Sequence, residues 1–425
     1  MPTLGAIADD FTGATDLATN LVSRGYRTVV RTGLPAPDDP GLAQDADADA
    51  VVIALQSRTA PPGRAVADSL AALAVLRELG CERFYFKYCS TFDSTPTGNI
   101  GPVLDALMHA VGASVTLAVP SLPGNGRTVY QGHLFVHRQL LSESPMRHHP
   151  LTPMTESDVV GLLAAQSGHE TVLTDHATVR SGAAAVRRAL EADPGRSRIH
   201  VVDAVDDADL AVIADGASGL TLWSGGSGLA LGLPVAGRPS RARDIPVAEG
   251  FQAVLAGSAS AATRRQVARG RERMPARKLD LAALRADLPG EVADLARWAA
   301  HQWAQRPGDP VLVYAVASLD DIEHDTSPGL EPASALVERA LGRCAQELLA
   351  RGARRFLIAG GETSGTVTTA LDVTRLRIGP AIAPGVAWAS ATAGPAGTGP
   401  VVNLALKSGN FGDDSVFTTA WKELG

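Results

Sequence analysis

Leu4-Gly-Ala-Ile-Ala-Asp-Asp-Phe-Thr-Gly-Ala-Thr-Asp16 decides the fold. A short run, apolar on both faces, breaks into two adjacent carboxylates and continues as a helical pattern. Strands of this kind belong to parallel sheets covered by helices on both sides. The pattern repeats along the chain: Thr28–Arg31, Ala50–Leu55, Phe84–Tyr88, Val115–Val119, Thr171–Thr174 and Ile199–Val202 read as strands, with helical stretches such as Arg64–Leu79 and Asn99–Val111 among them. A polar, glycine-rich passage from Gly225 to Gly250 follows, and its basic stretch Arg238–Arg243 runs into Arg-Asp-Ile-Pro. A second alternation then begins, with strands expected at Ala253–Ala256, Val311–Tyr314, Phe356–Ala359, Leu376–Ile378 and Val401–Leu406, and a loop over Ala391–Pro400. The boundary is placed near residue 245. The expectation is an α/β protein of two domains, 1–245 and 246–425, each a mostly parallel sheet flanked by helices, with the active site in the cleft between them.

At 425 residues the chain exceeds what a single hydrophobic core usually covers. Aromatics are only 4% and the formal net charge is −7, which argues against stacked nucleic acid or an anionic membrane as partner. An anionic substrate therefore has to be held by a local cationic pocket. Cys81, Cys89 and Cys344 form no C-x-x-C pair, as expected in a reducing cytoplasm. The N-terminus runs straight into a strand without a basic or long apolar leader, so no signal peptide is expected. No apolar run is long enough to span a bilayer, and a soluble cytoplasmic protein is the expectation.

Chemistry is expected where strands end, because ligands of open α/β sheets bind at the carboxyl edge. Asp9, Asp10 and Asp16, with Thr12 and Thr15, follow the first strand. A carboxylate there can take a proton from a substrate hydroxyl, although one of these residues could equally cap the helix that follows. The fourth strand leads into Lys87, Ser90, Thr91 and then Gly98-Asn99. A lysine beside hydroxyls suits an anionic group, and a helix start offers unpaired N–H groups. Arg58 after the third strand and Arg127 after the fifth add cations on the same edge. In the second half, Gly257-Ser258-Ala259-Ser260, Gly360-Gly361-Glu362-Thr363-Ser364 and Lys407-Ser408-Gly409-Asn410 each follow a strand, the layout of a nucleotide cradle. There is no Gly-Lys dipeptide and hence no P-loop, no G-x-G-x-x-G fingerprint and no G-x-S-x-G elbow. His133, His137, His148 and His149 lack the H-E-x-x-H arrangement, so no metal site is assigned to them. The arginines between Arg264 and Arg273 read as a solvated helix face.

The segments Ile7–Asp16, Lys87–Asn99, Gly360–Ser364 and Lys407–Gly412 resemble the four-carbon acid sugar kinases. Within that family KYCSTFDSTPTGNIGPV and GRTVYQGHLFV look like the 3-oxo-tetronate kinase branch. The resemblance runs from Gly5 to about Phe417. It implies an N-terminal substrate-binding domain, a C-terminal ATP-binding domain, and transfer from ATP, with Mg²⁺, to the C4 hydroxyl of 3-dehydroerythronate. It further implies nucleotide contacts at Ser258, Gly360, Gly361, Glu362, Thr363 and Gly409. Ala259 departs from the Gly-Ser-Cys-Ser expected there, a small-for-small change.

Asp10 is the expected catalytic base, with Asp9 or Asp16 orienting substrate or a Mg²⁺-bound water. Arg58 and Lys87 are expected on the substrate carboxylate, and Ser90, Thr91, Asn99 and Arg127 complete the substrate pocket. Rival readings are a threonate or erythronate kinase, an NAD-dependent sugar-acid dehydrogenase, which the missing fingerprint disfavours, and a non-catalytic sensor. The partner is a small acidic sugar, and a homodimer is the assembly entertained.

Overall fold

The computed structural model describes residues 2–424 apart from 37–38, 40, 149–151, 193–194, 237–238 and 323–330. His149 and Arg238, named above, lie outside the described residues. The chain divides into two compact units, Met1–Ala242 and Arg243–Gly425.

In the first unit the strands are β1 (Leu4–Ala8), β2 (Thr28–Thr32), β3 (Ala50–Ala54), β4 (Arg83–Lys87) and β5 (Val115–Val119). A small antiparallel sheet of β6 (Arg127–Tyr130), β7 (His133–Val136) and β8 (Gln139–Leu140) follows. Then come β9 (Glu170–Thr174), β10 (Arg198–Val202) and β11 (Leu222–Gly225). The main sheet has the order β2-β3-β1-β4-β11-β5-β10-β9 and is parallel throughout. From β1 the chain builds β2 and β3 on one side and crosses to β4 on the other, which makes the β1/β4 crevice a topological switch point. The core lies where Ile7, Ile53 and Phe86 meet helix residues such as Leu73, Leu104 and Leu107.

In the second unit the strands are β12 (Phe251–Ala256), β13 (Ala276–Lys278), β14 (Val311–Tyr314), β15 (Ala353–Ala359), β16 (Arg375–Ala383), β17 (Val386–Thr392) and β18 (Val401–Lys407). Their order is β13-β14-β12-β15-β18-β17-β16. The first five run parallel, and β17 is antiparallel to both of its neighbours. Here β12 is the strand from which the chain goes both ways, so β12/β15 is the switch point. Around this sheet Val254, Leu357, Trp388 and Phe417 share a second core.

Besides the short strand β13, three features escape the sequence reading. The strand β11, which ends on the first residue of the glycine-rich passage, lies between β4 and β5. Its Ser224 hydroxyl donates to the Leu117 carbonyl at 2.8 Å, and a Cβ on Gly225 would lie 2.2 Å from the Val119 carbonyl oxygen, so only glycine fits. Alanine-rich β17 continues two residues into the stretch expected to be loop. The β6–β8 sheet occupies the segment around His133 and His137. Among the described residues no helix is long and apolar enough to cross a membrane.

Candidate active site

The β1/β4 crevice assembles the first cluster. Its backbone is stitched across three loops: Asp9 N–H donates to the Lys87 carbonyl at 3.0 Å, and Ser57 and Arg58 N–H donate to the Asp9 carbonyl at 3.0 and 3.2 Å. Arg58 grips Asp9 in a two-bond fork, both distances 2.8 Å, and its second terminal nitrogen is also 2.8 Å from Asp10. The free cation expected at Arg58 is therefore committed to the two carboxylates. Bidentate guanidinium–carboxylate pairing fixes geometry as well as charge.

Asp10 caps the helix Phe11–Ser23, accepting the Gly13 N–H at 2.7 Å. Capping thus proves real, yet Asp10 is still 30% exposed at the strand edge. Burial, together with neighbouring Asp9, raises its carboxyl above the ordinary range against the opposing pull of Arg58, Lys87 and the Gly13 N–H. Burial likewise raises Asp16, against Lys87 and a hydrogen bond from the Ser227 hydroxyl. Lys87 is only 3% exposed and donates to the Tyr88 carbonyl at 2.7 Å. A Cβ on Gly13 would sit 2.8 Å from the Lys87 ammonium and 2.3 Å from an Asp10 oxygen, so this helix turn must be glycine for cation and carboxylate to share the space.

The loop after β4 is tightly held. Phe92 adopts φ +51°, a left-handed conformation uncommon for a bulky residue, and packs edge-to-face on Tyr88 with ring centroids 5.3 Å apart. The Thr91 hydroxyl donates to Asp93 at 2.5 Å, and Ser90 is half-buried beside it. Asn99 differs from its expected role: its amide donates to the carbonyls of Ser57 at 2.7 Å and Ala60 at 2.9 Å, binding the Arg58 loop. The N-terminus of the following helix is partly engaged too, because the Gly101 N–H donates to Gln166 at 3.0 Å. Gln166, which sequence reasoning missed, also donates to Ser94 at 3.0 Å and to the Thr95 carbonyl at 2.6 Å. Arg127 begins β6; one terminal nitrogen donates to the Asn125 carbonyl, and its Nε has no partner among the described residues.

The second unit carries a cleft of about 580 Å³ at the β12/β15 switch point, lined by Ser258, Val337, Glu338 and the turn Gly360–Thr363. Gly360 has φ +136°, and a Cβ there would come within 2.6 Å of the Thr363 hydroxyl; one on Gly257 would come within 2.3 Å of it. That hydroxyl donates to Glu338 at 2.8 Å, and burial raises the Glu338 carboxyl. Gly409 closes on the same loop: a Cβ there would be 2.5 Å from the Ser258 hydroxyl. The Ser260 hydroxyl donates to the Gly409 carbonyl at 2.5 Å, and Thr263 does so at 2.8 Å. Three turns, each with a glycine at its closest approach, lie beside the first turn of the helix Gly361–Ala370, an arrangement suited to phosphate oxygens. Glu362 is exposed there, whereas Thr363 is buried. Among the described residues no three His, Cys, Asp or Glu side chains converge as metal ligands.

Residues 4–233 match a family described as a sugar-binding N-terminal domain, and residues 253–417 one described as a nucleotide-binding C-terminal domain. A Cupriavidus necator protein named 3-oxo-tetronate kinase is 50% identical, covering 100% of this chain and 98% of its own. A Pseudomonas savastanoi protein of the same name is 48% identical over 100% and 97%. A solved structure from Salmonella typhimurium LT2 superposes with a TM-score of 0.88 at 42% identity, covering 99% of both chains.

Proposed function

The chain belongs to the four-carbon acid sugar kinase family, and from that premise we propose that it transfers the γ-phosphoryl group of ATP to the C4 hydroxyl of 3-oxo-tetronate. The observation that carries this reading is a pair of unlike switch points. One gathers carboxylates and buried cations, as a hydroxylated acid requires, and the other is a glycine cradle suited to a triphosphate. The 50% identity to a kinase of that name supports the substrate.

Phosphoryl transfer asks a protein chiefly for positioning and charge neutralisation. Asp10 is the base that takes the C4 hydroxyl proton, and the upward shift that burial imposes makes its carboxylate a stronger base than a free aspartate. Asp9 holds Arg58, and Arg58 steadies Asp10. Asp16 and Lys87 are opposite charges beside them, close enough for Lys87 to pull the Asp16 carboxyl down. Arg127, with its unpartnered Nε, and Lys87 are the proposed contacts for the substrate carboxylate; Ser90 and Thr91 face its hydroxyls, and Asn99 keeps the Arg58 loop in place. ATP supplies the phosphoryl group, and Mg²⁺ accompanies it, as that ion prefers phosphate oxygens to an all-protein cage. Ser258, Gly360, Gly361, Thr363 and Gly409, with the backbone N–H of Glu362 in the first helical turn, hold the phosphates, while Leu281, Ile322 and Val337 offer the adenine an apolar wall. An ATP user of this kind works in the cytoplasm.

The test is ADP release from Mg-ATP with 3-dehydroerythronate, D-threonate, L-threonate and D-erythronate. Turnover confined to the oxo acid is expected; turnover with a reduced acid alone would move the chain to another branch, and no turnover with any of them would refute the substrate class. Gly360→Ala tests the cradle. Forcing a Cβ into a positive-φ turn costs about 1–3 kcal/mol, so MgADP affinity should fall roughly five- to 150-fold in a calorimetric titration. An unchanged Kd would remove Gly360 from the site.

A further inference from the structure

Lys407 ends β18 with its side chain fully buried, 0% exposed. Its ammonium donates to the Thr263 hydroxyl at 3.1 Å and to the Ser408 and Gly409 carbonyls at 3.0 Å each. Its own carbonyl accepts the Gly360 N–H at 2.9 Å. One residue thus fastens both the Gly409 turn and the Gly360 turn.

Among the described residues no carboxylate pairs with this ammonium. On the helix Ala261–Arg271, Arg264 donates to the Ala259 carbonyl and Arg265 pairs with Asp414 at 2.9 Å. In the loop after β18, Asp413 accepts the Ser415 N–H at 2.8 Å, and on the helix after β15, Glu362 is exposed. Burial alone bears on the amine and pushes it down to about 7.

We propose that Lys407 is a positioning residue of the nucleotide site, a tethered cation that gathers three oxygens to hold the Gly409 turn against Ser258. This rests on the nucleotide reading of that cleft. As an ammonium it has three N–H donors for three acceptors; as a neutral amine it has two, and the turn loses a bond. Anionic nucleotide favours the charged form, so binding above pH 7 draws a proton onto Lys407, and affinity falls as pH rises.

Calorimetric titration of the full chain with MgADP at pH 7, 8 and 9, in buffers of different ionisation heat, reads both effects. A phosphate monoester loses its second proton near pH 6, so nucleotide phosphates are largely ionised across this span. Kd should rise several-fold across this span, by about tenfold per pH unit at the limit, with net proton uptake. Lys407→Met should bind more weakly at pH 7 and lose the slope. A level wild-type Kd without proton uptake overturns the proposal, and so does a slope that survives in Lys407→Met. If that variant does not fold, the wild-type titration decides alone. Binding without a slope defeats only the role of Lys407, whereas failure of MgADP to bind at pH 7 defeats the nucleotide reading as well.

Discussion

Asp10→Asn should lower kcat by about 10²–10⁴ while leaving the Kd for MgADP unchanged. The amide keeps an acceptor oxygen for the Gly13 N–H, so the helix cap survives, while the charge facing Arg58 goes together with the ability to take a proton. The loss should appear in kcat and kcat/KM alike, because proton acceptance belongs to the transition state. Direction of the pKa adds a second signature. A base whose carboxyl is raised is ionised only above its shifted value, so wild-type activity should fall on acidification at a pH above the ordinary aspartate value of about 3.9. That limb should be absent from whatever activity the variant retains. A kcat within a few-fold of wild type would show that Asp10 is a cap and nothing more.

Lys87→Met should cost folding stability as well as activity. Removing one partner of a buried charge set leaves the others uncompensated, at about 3–5 kcal/mol. Lys87 bears on both Asp10 and Asp16, lowering each. Without it both carboxyls rise further, so in the folded variant they favour the protonated form. A carboxyl raised in the folded state contributes stability below its unfolded pKa and loses it as pH climbs through the folded one. The deficit of Lys87→Met against wild type should therefore grow as pH rises above the ordinary aspartate value of about 3.9 in urea unfolding. A deficit below about 1 kcal/mol, the scale of an exposed ion pair, would mean that Lys87 is not the counter-charge described here.

Much of the site was legible because chemistry gathers at strand ends, and apolar strands such as Leu4–Ala8 are short enough to locate those ends closely. The sequence could place Asp10, Lys87 and Gly360 on carboxyl edges without knowing the strand order. Pairing was another matter. That Arg58 forks onto Asp9 depends on β3 and β1 being neighbours, and nothing local to either loop announces it. Asn99 and Gln166 look like ordinary loop polars until their amides are seen fastening carbonyls 39 and 71 residues away. Lys407 was visible as a motif residue at a strand end, and only packing reveals that its side chain is buried. β11 and β17 were missed because Ser224, Gly225 and the alanines of β17 carry little strand propensity; close backbone approach placed them instead.

The strand orders β3-β1-β4 and β14-β12-β15 give each unit its own switch point, written by loops of that unit alone. The consequence is one of inheritance. On the proposed assignment of the two sites, mutations in the loop after β4 should redraw which acid is accepted while the glycine turns of the cradle pass unaltered from ancestor to descendant. Divergence among such proteins should accumulate unevenly, with acceptor loops drifting between lineages and donor loops standing still.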